Sequence, residues 1–195
     1  MPCVLLVFTV NEVGGGETVF LNLVRFRKRQ DVEYRALIVS DVVDGPLAGR
    51  LAALGVPVAR VPRGRMSNPL ALMPALAAIA KDIERVRPDA ILANSSQGYL
   101  YARWAARTGR PIALYFMSMP QAVLWRNSPL DIFARWSPPD ATFAASNAIR
   151  RALEGLGFPN VSTVYHGAPE PAATTNHMAP ITHPLSLGTN EGKFE

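Results

Sequence analysis

Hydrophobic positions along the chain form short β-branched runs that alternate with segments of helical period. The runs are bounded by polar, Gly or Pro residues, which is typical of buried strands. The predicted strands are residues 4–10, 34–39, 58–61, 90–93, 112–116, 141–144 and 161–165. Between the runs, apolar residues recur every three or four positions, which predicts helices. The predicted helices are residues 18–29, 46–54, 70–86, 98–108 and 148–156.

This alternation also predicts the fold class. Most of the strands are apolar on both faces, which indicates a parallel sheet covered by helices on both sides. Crossovers of this kind are right-handed, so we expect a doubly wound, mostly parallel α/β sheet of Rossmann-like type over residues 1–167. Residues 168–195 contain four prolines and no apolar periodicity. We therefore predict a linker or disordered tail there.

The first apolar run begins almost at Met1, where a targeting segment would also lie. No Lys or Arg precedes residues 4–10, and the run ends in Asn11 and Glu12 rather than at a small-residue cleavage site. It is also far shorter than the ~20 residues that a membrane span needs. A buried strand is therefore expected.

Composition and charge restrict the function only in part. The 195 residues correspond to one domain at ~100–200 residues per domain, and they carry a net charge of +5. Such an excess attracts phosphates or an anionic membrane surface, but it is equally typical of a solvated basic face. No nucleic-acid partner is predicted. Cys3 is the only cysteine, which excludes an intrachain disulfide and a cysteine-based metal site and fits a reducing cytosol.

The loop after the first strand is the most informative candidate site. It contains Gly14, Gly15, Gly16 and Glu17 directly before a predicted helix. Glycines allow close approach of a ligand, and the N–H groups of a helix N-terminus suit phosphate. The spacing matches neither G-x-G-x-x-G nor the P-loop pattern, which disfavours an NAD- or ATP-dependent enzyme. A glycine-rich turn without a ligand remains the alternative.

Polar residues that follow later strands are the other candidates. Asn94 and Ser95 end the fourth strand, where they could hold sugar hydroxyls or cap the next helix. Ser118 and Arg126 follow the fifth strand, which suits a carbohydrate or lipid-phosphate acceptor or ordinary loop packing. His166 closes the last strand, where a structural role is the commoner one.

No set of catalytic or metal-binding residues can be assembled from the sequence. His177 and His183 lack the spacing of a metal site, and no Ser-His-Asp or Cys-His arrangement is evident. The catalytic residues are therefore left unassigned, and no metal is predicted.

Four segments together resemble GT-B glycosyltransferases of family 4. The Gly14–Glu17 loop and its helix resemble the "GGAE…LxxLA" opening of that family, and residues 87–94 resemble its "kPDvvhahs" strand. Residues 145–150 are similar to "vSeavr", and residues 156–167 to "lGvp…kitvipnGvd". The four segments follow the family order over residues 2–169.

The resemblance implies a fold, an activity and site residues. It implies one lobe of a GT-B fold and a retaining sugar transfer from a nucleotide-sugar donor to a glycan or lipid-linked acceptor, without an obligatory metal or other cofactor. Glycines of the loop inherit the donor-phosphate role, and Asn94, Ser95 and Ser118 lie on the acceptor side. Ser146 occupies the family's position near the interdomain cleft, and His166 and Gly167 mark the start of the hinge.

The chain departs from the family in two places. Residues 117–119 read Met-Ser-Met where the family often carries a His. After Gly167 there is no counterpart to the donor lobe, with its Arg/Lys pair and Glu-x7-Glu element. We therefore expect the chain to represent the N-terminal lobe of a cell-envelope or polysaccharide biosynthetic enzyme, inactive alone, and truncated, frameshifted or paired with a separate donor-lobe chain.

A non-catalytic module that binds an acceptor or a membrane surface is the second hypothesis. Basic residues cluster in or near the ends of two predicted helices, where they could dock on anionic lipid at the inner face of the membrane in the cytoplasm. They also lie where cations favour the helix dipole in any case. These residues are Arg25, Arg27, Lys28 and Arg29 of the first helix, and Arg103, Arg107 and Arg110 around the fourth.

Overall fold

The computed structural model describes residues 1–27, 31–64, 68–106, 109–118 and 136–165 of the chain. Within them, strands and helices alternate along the sequence. The strands are β1 (Cys3–Phe8), β2 (Glu33–Val39), β3 (Val58–Val61), β4 (Ala90–Ala93), β5 (Ile112–Phe116), β6 (Ala141–Ala144) and β7 (Val161–Thr163). The helices are α1 (Gly15–Arg25), α2 (Pro46–Ala53), α3 (Pro69–Val86), α4 (Ser96–Ala105) and α5 (Asn147–Gly155).

The strands form one sheet in the order β3-β2-β1-β4-β5-β6-β7, and every described pair is parallel. β1 lies in the interior of the sheet, where Leu6 is paired with Ala36 of β2 and Leu92 of β4. The order reverses between β1 and β4, because the chain proceeds from β1 towards β3 and from β4 towards β7. The predicted doubly wound, Rossmann-like α/β sheet is confirmed.

Each face of the sheet has its own hydrophobic core. Leu5 and Val7 face a cluster built with α3, α4 and α5. Leu6 and Phe8 face the opposite cluster, built with α1 and α2. All four side chains are 0% exposed, and burial of each contributes about 1.5–3 kcal/mol. This two-sided burial explains why β1 is apolar at successive positions rather than at alternate ones.

Local sequence signals predicted the ends of the four strands β3 to β6 but not the carboxyl end of β1. The predicted bounds of β3, β4, β5 and β6 agree with the structure. β1 ends at Phe8 rather than at residue 10, and β7 ends at Thr163 rather than at residue 165. α1 begins at Gly15, so the glycine loop itself forms the first helical turn.

Several predictions concern residues outside the described ranges. They include the tail at residues 168–195. The predicted helices 18–29 and 98–108 are wrong at both ends: α1 spans Gly15–Arg25 and α4 spans Ser96–Ala105, so each begins earlier and ends earlier than its apolar periodicity indicates. Among the described residues, no helix combines the length and the apolar character that a membrane crossing requires.

Candidate functional site

The candidate site lies at the carboxyl ends of β1 and β4. In doubly wound sheets, ligands bind at this edge where the strand order reverses, because the two outgoing loops separate and leave a crevice. Here those loops are residues 9–14 and residues 94–95. Both lead directly into helices, α1 and α4, whose N-termini therefore lie at the same edge.

The first turn of α1 presents backbone donors without bulky side chains. Gly14 is the N-cap and has no capping side chain, but its N–H donates to Glu17 Oε2 at 3.1 Å. Gly14 and Gly15 are exposed, and a Cβ added to Gly15 would meet nothing within 4 Å. The first N–H groups of a helix have no intrahelical acceptor. This turn can therefore donate hydrogen bonds to an approaching anion or hydroxyl.

A direct hydrogen bond links this turn to the end of β4. Asn94 Nδ2 donates to Glu17 Oε1 at 2.8 Å, across 77 positions of sequence. Asn94 is 7% exposed, and its Oδ1 has no hydrogen-bond partner in the described part of the chain. The structure thus brings together two predicted site residues that came from separate loops.

Ser95 caps α4, one of the two roles open to it from the sequence. Its Oγ accepts from Gly98 N at 3.1 Å and lies 3.1 Å from Thr9 Oγ1. Thr9 follows β1, so this hydroxyl pair joins the two loops of the crevice a second time. Both contacts fix the start of α4 relative to the end of β1.

The end of β5 contacts the same helical turn. A Cβ on Gly16 would lie 2.8 Å from Met117 Cε, so the methionine packs directly against this glycine. Ser118 is exposed at the same strand end. The structure therefore places Ser118 two residues beyond β5, next to the methionine that covers Gly16.

The remaining predicted site residues lie either away from the ends of β1, β4 and β5 or outside the described part of the chain. Ser146 caps α5, accepting from Ile149 N at 3.2 Å. It follows β6, which is two strands from β4 and hence about 10 Å away at ~4.8 Å per strand. Arg126, His166 and Gly167 lie outside the described residues.

Sequence reasoning missed Asn11, which organises the neighbouring loop. Asn11 is 0% exposed, and its Nδ2 donates to Val42 O at 3.1 Å and Val43 O at 3.0 Å. Its Oδ1 accepts from Ala48 N at 3.1 Å. Asn11 therefore caps α2, whose own N-cap is Gly45. A polar Asn directly after a buried strand could have marked a buried hydrogen-bonding side chain. Its partners could not have been predicted from local sequence, because they are more than 30 positions away.

Arg63, just after β3, carries positive charge at the same edge of the sheet. Its NH2 group donates to Gln97 Oε1 at 2.6 Å, and its backbone N–H donates to Asp41 Oδ1 at 2.9 Å. Tyr101 donates to the Arg63 carbonyl at 3.2 Å. These contacts hold the guanidinium at the start of α4.

Two tyrosines are perturbed by their surroundings. Burial raises the pKa of Tyr115, whose OH donates to Val164 O at 2.9 Å. Burial also raises the pKa of Tyr99, which donates to Ser137 O. Both therefore remain neutral at physiological pH and serve as hydrogen-bond donors. Within the described ranges, no group of three or more His, Cys, Asp or Glu side chains is arranged to hold a metal ion.

Comparison with known proteins gives one family and a set of similar structures. The family described as Glycosyltransferase Family 4 matches residues 13–169. No curated protein matches the sequence.

Among solved structures, Anabaena HepE in complex with UDP and glucose is similar with a TM-score of 0.64 and 17% identity, covering 85% of this chain and 44% of HepE. The lipopolysaccharide outer core galactosyltransferase WaaB is similar with a TM-score of 0.61 and 17% identity, covering 85% of this chain and 45% of WaaB. Neisseria meningitidis UDP-GlcNAc 2-epimerase bound to UDP-GlcNAc has a TM-score of 0.56 and 15% identity, covering 83% of this chain and 46% of the epimerase. The chain thus spans less than half the length of these structures, and the likeness establishes the fold alone.

Proposed function

Because the chain belongs to Glycosyltransferase Family 4, we propose that it binds a nucleotide-sugar donor and a sugar acceptor for a retaining glycosyl transfer. The observation that carries this proposal is the exposed, glycine-only start of α1 at the point where the strand order reverses. Nucleotide-sugar ligands in the HepE and epimerase structures are consistent with it.

The donor diphosphate is assigned to the N–H groups of Gly15 and Gly16. Both lie in the first turn of α1, where the helix dipole favours negative charge. A side chain at Gly15 would stand in the open space before this turn, so glycine lets a phosphate reach the backbone. The resemblance to the family implies that the diphosphate is bound without an obligatory metal ion, and the N–H groups of this turn would donate hydrogen bonds to its oxygens.

The acceptor is assigned to the ends of β4 and β5. Asn94 and exposed Ser118 offer amide and hydroxyl groups suited to a glycan or lipid-linked sugar. Arg126 is a further acceptor-side candidate and lies outside the described residues. The similar protein WaaB is a lipopolysaccharide outer core galactosyltransferase, which supports a cell-envelope acceptor.

Binding without transfer is the expected behaviour of residues 1–195. The chain covers 44% of HepE and 45% of WaaB. In the proposal, groups outside this chain complete the donor site, so purified chain should not transfer sugar from UDP-glucose or GDP-mannose to any acceptor. Measurable transfer without an added partner would contradict this part.

Titration calorimetry with UDP-glucose and GDP-mannose tests the donor assignment. Gly15→Glu places a carboxylate in the first turn of α1, where it suits the helix but repels phosphate. We expect at least a tenfold loss of affinity for the bound nucleotide-sugar. Gly49→Glu is the matched control, since Gly49 is exposed on α2 and also has nothing within 4 Å of an added Cβ. The assignment fails if no nucleotide-sugar binds the wild type or if Gly15→Glu binds as well as Gly49→Glu.

A second proposed function is docking on anionic membrane. Leu23 is 40% exposed and Phe26 is 55% exposed at the end of α1, next to Arg25 and Arg27. Arg25 lies 5.3 Å from the centre of the Phe26 ring. Lys28 and Arg29 continue the basic sequence outside the described residues.

In the second predicted basic cluster, around α4, the described arginines contact other residues of the chain. Arg103 donates to Ser137 Oγ at 2.8 Å and lies 3.7 Å from Asp140. Arg110 donates to the Pro88 carbonyl. We therefore assign docking to the end of α1. The fraction of protein that sediments with phosphatidylserine vesicles should be lower for Phe26→Ser than for the wild type. Wild-type binding to neutral phosphatidylcholine vesicles that equals its binding to phosphatidylserine vesicles would contradict the proposal.

A further inference from the structure

Tyr115 connects two parts of the chain that are distant in sequence, namely helix α1 and the segment that follows β7. Its ring lies 5.9 Å from the ring of Phe20 in α1, edge to face at 77°. Its hydroxyl group donates to the carbonyl oxygen of Val164 at 2.9 Å, across 49 positions of sequence. Tyr115 is 6% exposed. One buried side chain therefore contacts both the helix and the segment.

The hydrogen bond to Val164 reaches across a whole strand of the sheet. Tyr115 belongs to β5 and Val164 follows β7, so β6 lies between them. The side chain thus spans about 10 Å, at ~4.8 Å per strand. The backbone hydrogen bonds of a sheet join only adjacent strands, so this contact depends on the length and the hydroxyl group of the tyrosine.

Both backbone groups of Val164 are bonded to the sheet. Its N–H donates to the Ala144 carbonyl of β6 at 2.8 Å, and its carbonyl accepts from Tyr115. β7 has three residues and is the last strand of the described sheet. Short strands at an edge open locally at low cost in free energy. The two bonds at Val164 therefore fix the direction in which the chain leaves β7.

The same end of β5 lies against the first two turns of α1. Met117 Cε is 2.8 Å from the position of a Cβ on Gly16, and Tyr115 packs on Phe20 one turn later. Phe20 is 1% exposed and also packs on Phe8 of β1, with 5.4 Å between the ring centres. Side chains packed this closely transmit strain. A change at the start of α1 therefore reaches Tyr115 through direct contacts.

We propose that Tyr115 is a positioning residue of the donor site, through which a diphosphate bound at the first turn of α1 orders the segment that follows β7. Energetic coupling between two sites is carried by packed side chains and hydrogen bonds. Here the ring contact with Phe20 and the hydrogen bond to Val164 supply both. A bound ligand restricts the motion of α1, and the restriction passes through Phe20 and Tyr115 to Val164.

The inference rests on the proposed function for the identity of the ligand. In that assignment Tyr115 does not contact the diphosphate and acts only through α1 and Val164. The resemblance to the family places the start of the hinge at His166, two positions beyond Val164. Order at Val164 would then set the direction in which the hinge begins when donor is bound.

Amide hydrogen exchange of the ligand-free chain tests the contact with Val164. Tyr115→Phe keeps the ring and removes the hydroxyl, so the Val164 amide should exchange at least fivefold faster. Tyr99→Phe is the matched control, because Tyr99 is 1% exposed on the opposite face of the sheet and its hydroxyl also donates to a backbone carbonyl, that of Ser137. It should leave Val164 within twofold of the wild type. Equal exchange in the two variants would overturn the inference.

A double-mutant cycle separates coupling from a general loss of stability. Phe20→Leu removes the ring contact and should speed exchange at Val164 at least threefold in the wild type but less than 1.5-fold in Tyr115→Phe. Equal effects in both backgrounds would contradict the coupling. The Ala106 amide, which donates to Ala102 O at the end of α4, serves as the reference for global opening. A change at Ala106 as large as that at Val164 would also sink the inference.

UDP then connects the coupling to the donor site. It should slow exchange at Val164 at least threefold in the wild type and in Tyr99→Phe, and leave Val164 unchanged in Tyr115→Phe. If UDP binds but Val164 responds equally in Tyr115→Phe, or does not respond in the wild type, the inference is wrong and the donor assignment stands. If UDP does not bind although the cycle shows coupling, the donor assignment fails and the connection from α1 to Val164 stands.

Discussion

Replacing Asn11 by Ala should destabilise the fold more than its position in a loop suggests. The side chain is 0% exposed and makes three hydrogen bonds to the segment that leads into α2. Its Oδ1 accepts from Ala48 N, the third residue of a helix whose N-cap, Gly45, has no capping side chain. Asn11 supplies from another loop the cap that a local Ser or Asp would supply.

The cost can be estimated bond by bond. Loss of an N-cap side chain typically costs about 1 kcal/mol, and Ala48 is 7% exposed, so water replaces that bond poorly. The carbonyls of Val42 and Val43 belong to exposed residues, so each lost bond there costs about 0.5–1 kcal/mol. The total is about 2–3 kcal/mol, a large part of a typical stability of about 5–15 kcal/mol.

Urea unfolding followed by circular dichroism measures this loss. In thermal unfolding, the melting temperature should fall by roughly 4–12 °C, at about 2–4 °C per kcal/mol for a chain of this size. Asn11→Asp keeps an acceptor for Ala48 but loses both donors, so it should be at least as unstable as Asn11→Ala at neutral pH. Asn147→Ala, at an exposed asparagine, should stay within about 0.5 kcal/mol of wild type. An Asn11→Ala loss below about 1 kcal/mol would refute the capping argument.

Three further predictions concern glycine contacts and buried titratable groups. Gly45→Ala should lower the free energy of unfolding by about 3 kcal/mol or more, because the new Cβ would lie 1.8 Å from the backbone carbonyl oxygen of Asn11. Gly16→Ala meets only the flexible end of Met117 and should lower it by less than about 1 kcal/mol, both measured by urea unfolding. Burial raises the pKa of Tyr115, so its contribution to stability should be constant below about pH 10 and fall above it, because the unfolded chain ionises first. Tyr115→Phe should therefore lose less stability than wild type in alkaline unfolding experiments. Burial also raises the pKa of Cys3, so its thiol should react with Ellman's reagent at least about tenfold faster in urea than in buffer, and equal rates would contradict its burial.

The fold was predictable because its signals are local. Strand β3 is bounded by Pro57 and Pro62, and β4 is followed by four polar residues, so the bounds of both strands were predictable from their neighbours in sequence. Apolar positions on both faces of β1 indicated burial from two sides, and the handedness of crossovers then restricted the topology. Each step needs only residues near in sequence and a general rule about sheets.

The bounds at the site were not predictable in this way. Thr9 lies in the apolar run that extends the predicted first strand to residue 10, and Asn11 directly follows that run. Their side chains bond Ser95 in one case and the segment that leads into α2 in the other. These partners are 86 and 31–37 positions away. Such contacts end the strand where the sheet meets the crevice, and no local periodicity records them.

The same reason limits what the sequence indicates about the glycine loop. A sequence pattern assigns one role to Gly14–Glu17 because the four residues are contiguous, and it assigns Asn94 separately because it belongs to another loop. The hydrogen bond from Asn94 to Glu17 crosses that division. Glu17 accepts through its other oxygen from Gly14 N at 3.1 Å, so one carboxylate joins the start of α1 to the end of β4. These contacts relate residues that are 3 and 77 positions apart in sequence. A pattern read along the chain can record the first spacing but not the second, and the assembly of the site from two loops therefore becomes visible only in the fold.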